Sequence, residues 1–206
     1  MHPNRAFRKA TDARALDFAR DRSFGTLAVN ADGGPRLSHV PFLIDAAGQS
    51  LDLHLVRSNP ILGALECDAV VSILGPDAYL SPDWYDVPDQ VPTWNYVAVH
   101  LRGRLTRLPQ DAMRDMLDRQ SAGFEDWLNP KTPWTTDKMT PDILTRMMRQ
   151  IVPCRMTIED VQSTWKLSQN KPDPVRLAAA DHVETSGIGS EVVALSRLMR
   201  DPDSEV

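Results

Sequence analysis

The chain has little of what usually marks a reactive or nucleotide-binding site. It carries two cysteines, Cys67 and Cys154, far apart and outside any C-x-x-C spacing. That argues against a thiolate zinc site or a disulfide framework and for buried thiols in a reduced compartment. Its ten glycines form neither G-x-G-x-x-G nor G-x-x-x-x-G-K-[ST], so a Rossmann or P-loop phosphate cradle has no support. A G-x-S-x-G elbow and an H-E-x-x-H helix are also missing, which leaves hydrolase mechanisms without an anchor. No window is apolar for long enough to span a bilayer, and the first residues form no secretory h-region. The expectation is a cytoplasmic protein with no membrane contact. Positive charge is thin as well: 23 Lys and Arg stand against 28 Asp and Glu, a net charge of −5. Arg102, Arg104 and Arg107 are the nearest approach to a basic strip, so direct DNA binding is doubtful.

What is present is an ordinary globular composition, 42% hydrophobic and 25% charged over 206 residues, enough to build one substantial core. A single domain over 1–206 is expected, with helical elements at about 11–21 and about 173–200. Thr11 is a good N-cap, and Ala13, Leu16 and Ala19 follow at helical spacing. From Phe24 the pattern turns to β. FGTLAVN, RLSHVPFLID and LDLHLV are separated by Asp-Gly-Gly and Ala-Ala-Gly and read as hairpin-linked antiparallel strands. Val40, Phe42 and Ile44 share one face, as do Leu51, Leu53 and Leu55. A turn centred near Ala46-Ala47 would set His39 opposite His54 on the other face, beside Arg57 and Asn59.

AVVSILG reads as a strand buried on both faces. WNYVAVHLRGRLTRL reads as a long strand with Val97, Val99, Leu101 and Leu105 inward and a bulge or bend at Gly103. Residues 110–120 and 141–151 have helical periodicity, and the segment from Cys154 returns to strand character. Asp173-Pro174 opens a further helix, and Ser190-Glu191 another.

Two polar segments stand out from this framework. Val91-Pro-Thr-Trp-Asn-Tyr96 and Lys166-Leu-Ser-Gln-Asn170 hold more amide, hydroxyl and aromatic groups than strand cores need. One reading makes Tyr79, Trp84, Tyr85, Trp94 and Tyr96 buried corners with satisfied polar tips. The other makes them walls for a flat heteroaromatic ligand, with Thr93, Asn95, Gln169 and Asn170 at its ring edge and Arg57, Ser58, Lys166 and Ser168 as anion partners. His39 and His54 suit a hydrogen-bonded pair better than a metal site, since a third ligand at fitting spacing is missing, and no metal is expected.

The ordered series HVPF at 39–42, HLVRSNP at 54–60, GPDAYLSPDWY at 75–85, VPTWNY at 91–96 and KLSQN at 166–170 resembles the PaiB family of FMN-binding negative transcriptional regulators. The resemblance runs from about Phe24 to about Asn170. It implies a mainly β fold, an antiparallel split β-barrel of the flavin reductase and pyridoxamine oxidase type with flanking helices. It also implies a homodimer with FMN in the crevice between subunits. Carried over by position, Arg57, Lys166 and Ser168 would face the phosphate and ribityl end. His39, Asn59, Thr93, Trp94, Asn95, Gln169 and Asn170 would surround the rest. Val56, Ser58 and Pro153 depart from the residues more usual in these motifs, without removing a charged or amide group that FMN needs.

Two functions follow from the resemblance. One is a flavin-containing negative regulator of transcription, acting indirectly, because no basic recognition helix is visible. The alternative is an FMN-dependent oxidoreductase linked to NAD(P)H and acting on a small molecule, with no catalytic residue identifiable from sequence.

Overall fold

The structure, a computed structural model, describes residues 1–204, with Ser186 described by its backbone alone. Its strands are β1 (Phe24–Val29), β2 (Arg36–Ile44), β3 (Ser50–Val56), β4 (Cys67–Leu80), β5 (Thr93–Arg107), β6 (Ile151–Lys166) and the short β7 (Gly189–Ser190). Five helices flank them: α1 (Asp12–Arg22), α2 (Ala112–Asp126), α3 (Pro141–Met148), α4 (Asp173–Ser186) and α5 (Val192–Arg200). Strand order is β1-β2-β3-β6-β5-β4-β7, and β1 also pairs with β4, so β1 to β6 close into a six-stranded antiparallel barrel with β7 as an extra strand. No described helix is long and apolar enough to cross a membrane.

The chain divides into two compact units. The first comprises Met1–Ala19, Ile73–His100 and Val161–Val206, the second Arg20–Ser72 and Leu101–Asp160.

In the second unit, β1 and β2 form the expected hairpin, with Leu27 opposite Ser38. Gly33 and Gly34 take φ of 84° and 121° in the turn, conformations that glycine adopts without a Cβ clash. The β2–β3 register departs from expectation. Leu43 pairs with Asp52, and His39 and His54 are not opposed: His39 lies beside Thr26 of β1 and His54 beside Pro153 of β6. The cause is Asp45. Its carboxylate accepts hydrogen bonds from Gln49 N (2.8 Å) and Ser50 Oγ (2.7 Å) and its amide donates to Ser50 O (2.9 Å), so this residue, not Ala46-Ala47, sets the turn.

The non-core face of β3 is not a solvent face either. Asp52 is buried there, where Arg155 donates to it at 2.6 and 2.9 Å and Arg119 of α2 at 2.8 Å. Burial pushes the Asp52 carboxyl up, but these guanidinium hydrogen bonds hold it below the ordinary value.

Alternation places Val97, Val99, Leu101 and Leu105 of β5 in the core, as the sequence pattern requires. β4 corrects the expectation of two buried faces: Val71 and Ile73 are buried, while Leu74 is 63% exposed. Apolar runs do not distinguish a strand covered twice from one whose outer face happens to carry valines and leucines. The helix expected over 141–151 ends at Met148, because Ile151 already pairs with Val56 in the barrel. In the first unit, α1 is capped by Thr11 Oγ1, which accepts from Arg14 N at 3.2 Å, and its buried residues are Ala15, Phe18 and Ala19. Phe18 meets Trp165 edge to face at 5.6 Å, and the Arg14 guanidinium lies over the Trp165 ring.

Gly103 marks a close approach of backbones. A Cβ there would lie 1.7 Å from Thr157 O, a distance no side-chain shift relieves. Gly103→Ala is therefore expected to destabilise the fold by about 3 kcal/mol or more. Gly63→Ala, where a Cβ meets nothing within 4 Å, should stay near wild type. Urea denaturation midpoints of the two variants provide the comparison.

Candidate functional site

The second polar motif begins where β6 ends. After Lys166 the chain turns sharply, and Ser168 takes φ 61°, a left-handed conformation uncommon for a residue with a side chain. The turn is held by Gln169. Its Oε1 accepts from Leu167 N at 2.8 Å, and its Nε2 donates to Trp165 O at 2.5 Å and Ala6 O at 3.3 Å. Ser168 is thereby buried with its hydroxyl directed at β5, where Asn95 Nδ2 donates to it at 2.9 Å. The Tyr85 hydroxyl shares a 3.1 Å hydrogen bond with the same oxygen. Tyr85 comes from the single helical turn Pro82–Tyr85, capped by Ser81.

These groups line a cavity of about 260 Å³ in the first unit, together with Thr93, Lys166, Asn170 and Lys171. The Lys166 ammonium donates to Thr93 Oγ1 and, at 2.6 Å, to Trp94 O. Lys171 donates to Gln90 and sits 4.3 Å from the centre of the Tyr85 ring. Among the described residues neither lysine is paired with a carboxylate, and one acid, Asp89, stands at the exposed rim. Burial alone pushes the Lys166 amine below its ordinary value. Asn95 is fully buried, and its Oδ1 has no hydrogen-bond partner among the described residues. A buried acceptor left open costs on the order of 1–3 kcal/mol unless something occupies it. Excess positive charge beside an open amide acceptor suits a ligand with an anionic end and an N–H or O–H donor.

Of the residues singled out from sequence, Thr93, Asn95, Lys166, Ser168 and Asn170 thus meet at one cavity. Gln169 and Trp94 do something else there. Gln169 spends its amide on the turn. The Trp94 ring is 47% exposed and packs edge-on to Tyr79 at 6.2 Å, while its carbonyl takes Lys166. Gln90, Lys171, Asn4 and Phe7 line the cavity without having been singled out from sequence, and Tyr85 was singled out only as one of several aromatic candidates for a wall. Tyr85 sits in a quoted motif, but nothing in spacing shows that its hydroxyl meets Ser168.

Within the second unit, Asn59 caps the helical turn Pro60–Gly63 through Ile61 N (3.0 Å) and donates to Ser38 Oγ (3.1 Å). Arg57 Nε donates to Arg149 O at 2.7 Å, and its Nη2 to Gln110 Oε1 at 2.7 Å and Ile151 O at 3.3 Å. Ser58 is exposed. His39 Nδ1 is 3.0 Å from Thr26 Oγ1, and His54 Nδ1 is 3.0 Å from Gln120 Oε1, so the two histidines have separate partners.

A model of the family described as "Putative FMN-binding domain" matches residues 1–160. The chain is 32% identical over 168 residues to the Bacillus subtilis protein named Protease synthase and sporulation protein PAI 2, covering 79% of this chain and 80% of that protein. It is also 34% identical over 97 residues to an uncharacterized protein of Saccharomyces cerevisiae, covering 42% of this chain and 57% of that protein. Among solved structures, the fold is similar to the FAD and heme binding protein of Mycobacterium smegmatis (TM-score 0.55, 18% identity, 77% of this chain and 73% of that one). It is equally similar to a conserved hypothetical protein of Mycobacterium tuberculosis (TM-score 0.55, 17% identity, 83% and 94%).

Burial holds the half-buried His54 below its ordinary value near 6.5, more than the Gln120 hydrogen bond raises it. The folded state therefore prefers neutral imidazole, and the unfolded chain takes up the proton first as pH falls. The contribution of His54 to stability is present above pH 6.5 and declines below it, down to the folded-state value. Urea titrations across this interval should show less acid loss in His54→Gln than in the parent.

Proposed function

Because this chain belongs to the FMN-binding family whose model spans its first 160 residues, and its cofactor is accordingly FMN, we propose that it is a flavin-loaded negative regulator. It acts as a homodimer and represses through a partner or a metabolite, not by reading DNA. The observation that carries the flavin part of this reading is the first-unit cavity, where Lys166 and Lys171 lack carboxylate partners and the buried Asn95 Oδ1 lacks a donor. FMN offers both complements: a phosphate for the ammonium groups and ring or ribityl donors for the amide oxygen. Ser168, held by Tyr85 and Asn95, would orient that amide. Thr93 and Asn170 would flank it, with Trp94 as an outer wall. Arg57, Ser58, Asn59 and His39 of the second unit are proposed as cofactor residues on the motif resemblance alone.

Two features support the rest. A cavity of about 260 Å³ is smaller than the ~300–1,000 Å³ usual for ligand pockets, as expected if a second subunit supplies the remaining wall. The net charge of −5 and the pairing of Arg104 with Asp68 at 3.2 Å disfavour a phosphate-binding face on β5. The Bacillus relative, named for protease synthase and sporulation, supports a regulatory assignment. When bound, FMN supplies hydride or single-electron transfer. The residues named here bind it and orient it. Anaerobic titration of the flavin-loaded protein with NADH and NADPH separates the two functions, since rapid reduction would favour the oxidoreductase.

Lys166→Glu is expected to weaken FMN binding by at least about a hundredfold, since a charge-assisted partner becomes a like charge. Trp94→Ala should lower FMN affinity more than it lowers the stability of the flavin-free protein. Fluorescence titration of free FMN reads the affinities, and urea denaturation of the flavin-free protein reads the stability. If the dimer alone binds FMN, loading at a hundred times Kd adds roughly 2.7 kcal/mol to its stability. Sedimentation over a dilution series should then show dissociation suppressed by FMN. A monomer holding stoichiometric flavin would place the site within one chain.

A further inference from the structure

A second cavity, of about 280 Å³, opens in the second unit, and its chemistry is the reverse of the first. α2 contributes Leu117 and Ser121, and α3 contributes Leu144, Met147 and Met148. The segment between the helices adds Trp134 and Met139, and the ends of β3 and β6 close the wall with Val56 and Ile151. No Lys, Arg, Asp, Glu or His lines it. Thr136 is one of its three polar lining residues, but the Thr136 hydroxyl is already used, donating to Asp118 Oδ1 at 2.7 Å and accepting from Arg114 at 2.6 Å. The Ser121 hydroxyl and the Gln150 carboxamide remain as the other two.

We infer that this cavity is a binding site for a small, uncharged aromatic molecule, distinct from the flavin site. An unpaired charge would lose its hydration here with nothing in return. Water is a poor occupant, since an ordered water needs two to four polar partners and the walls offer few. At about 30 Å³ per water-sized group, the space holds roughly ten non-hydrogen atoms, too few for a helix of a protein partner. An indole face and three methionine thioethers are side chains that pack favourably on aromatic rings. Ser121 and Gln150 can satisfy one hydrogen-bonding group on the ring. Met147 and Val56 stay about half exposed at the mouth, 51% and 55%, which a seated ligand would cover. The wall also contains the Gln150 and Ile151 carbonyls that Arg57 holds, at 2.7 and 3.3 Å, so the cavity is built on an anchored backbone.

Indole, neutral, flat and of the right size, is the probe. In full-length protein labelled at its eight methionine methyls, indole should shift Met139, Met147 and Met148 saturably and leave the core residues Met113 and Met116 unmoved. The same response is expected with and without FMN, so the result does not depend on the flavin reading. Ser121→Leu should weaken indole binding about tenfold or more by filling the space. If that variant does not fold, as judged by circular dichroism, Met148→Phe makes the same test. Three outcomes overturn the inference. In one, no saturable shift occurs; in another, affinity is unchanged in a folded, filled variant. In the third, the three methyls respond to protein dilution but not to indole, which would make a second copy of the chain the occupant.

Discussion

β1 is a strand of six residues bonded along both edges, to β2 through Phe24–Val29 and to β4 through Thr26–Val29, and the barrel depends on that double pairing. With closure, each of β1 to β6 has a bonded neighbour on both sides, and the residues facing inward are committed to the barrel interior. Leu27 and Val29 of β1 and Val71 of β4 are buried as a consequence. Closure also demands close contact on the far side of the ring, where the backbones of Gly103 and Thr157 leave no room for a Cβ. The helices lie outside this frame. They attach by polar as well as apolar contacts, as the Arg119–Asp52 ion pair and the Gln120–His54 hydrogen bond between α2 and β3 illustrate.

A frame that consumes its own backbone polar groups leaves binding to strand ends and to the chain beyond them. The first-unit cavity obeys this division. Its polar groups come from the start of β5, the end of β6 with the turn that follows, and the helical turn carrying Tyr85. Ser168 links them, since one hydroxyl meets both Tyr85 and Asn95. Such a buried network raises the stakes of each unmet bond, because the low local dielectric that strengthens a satisfied pair also penalises an open one. Asn95 Oδ1 and the partly desolvated Lys166 are costs to the empty fold that a suitable ligand would remove.

Much of the fold could be read from period alone, because burial on one face writes period two into a strand. The core-facing residues Leu51, Leu53 and Leu55 of β3 and Val97, Val99, Leu101 and Leu105 of β5 were legible from alternation, but the burial of Asp52 and Ala98 on the opposite faces was not. β4 was not, since valine and leucine on its outer face hide the alternation, and the β2–β3 register was not, because a side chain, Asp45, fixes the turn. For the site, order and spacing singled out Thr93, Asn95, Lys166, Ser168 and Asn170, which the fold brings to one cavity. The same motifs contain residues that serve the backbone: Gln169 ties its own turn and Asn59 caps a helical turn. A motif marks a local structure as a whole and does not separate the side chains that face a ligand from those that hold the loop in place. Tyr85 and Lys171 enter through tertiary approach, which leaves no periodic trace.

Arg57 also holds its loop in place. Its Nε and Nη2 are fixed on Arg149 O, Ile151 O and Gln110 Oε1, while no hydrogen bond engages Nη1 among the described residues. A guanidinium bound along one edge loses its rotamer freedom before any ligand arrives, so the other edge can meet an anion at less further entropic cost than a free lysine would incur. Arg57 Nη1 is then a donor held in a fixed direction. Lys166 differs in kind, because burial already disfavours its charge. An anion that restored that charge would be held more tightly as pH fell through the range in which Lys166 takes up its proton.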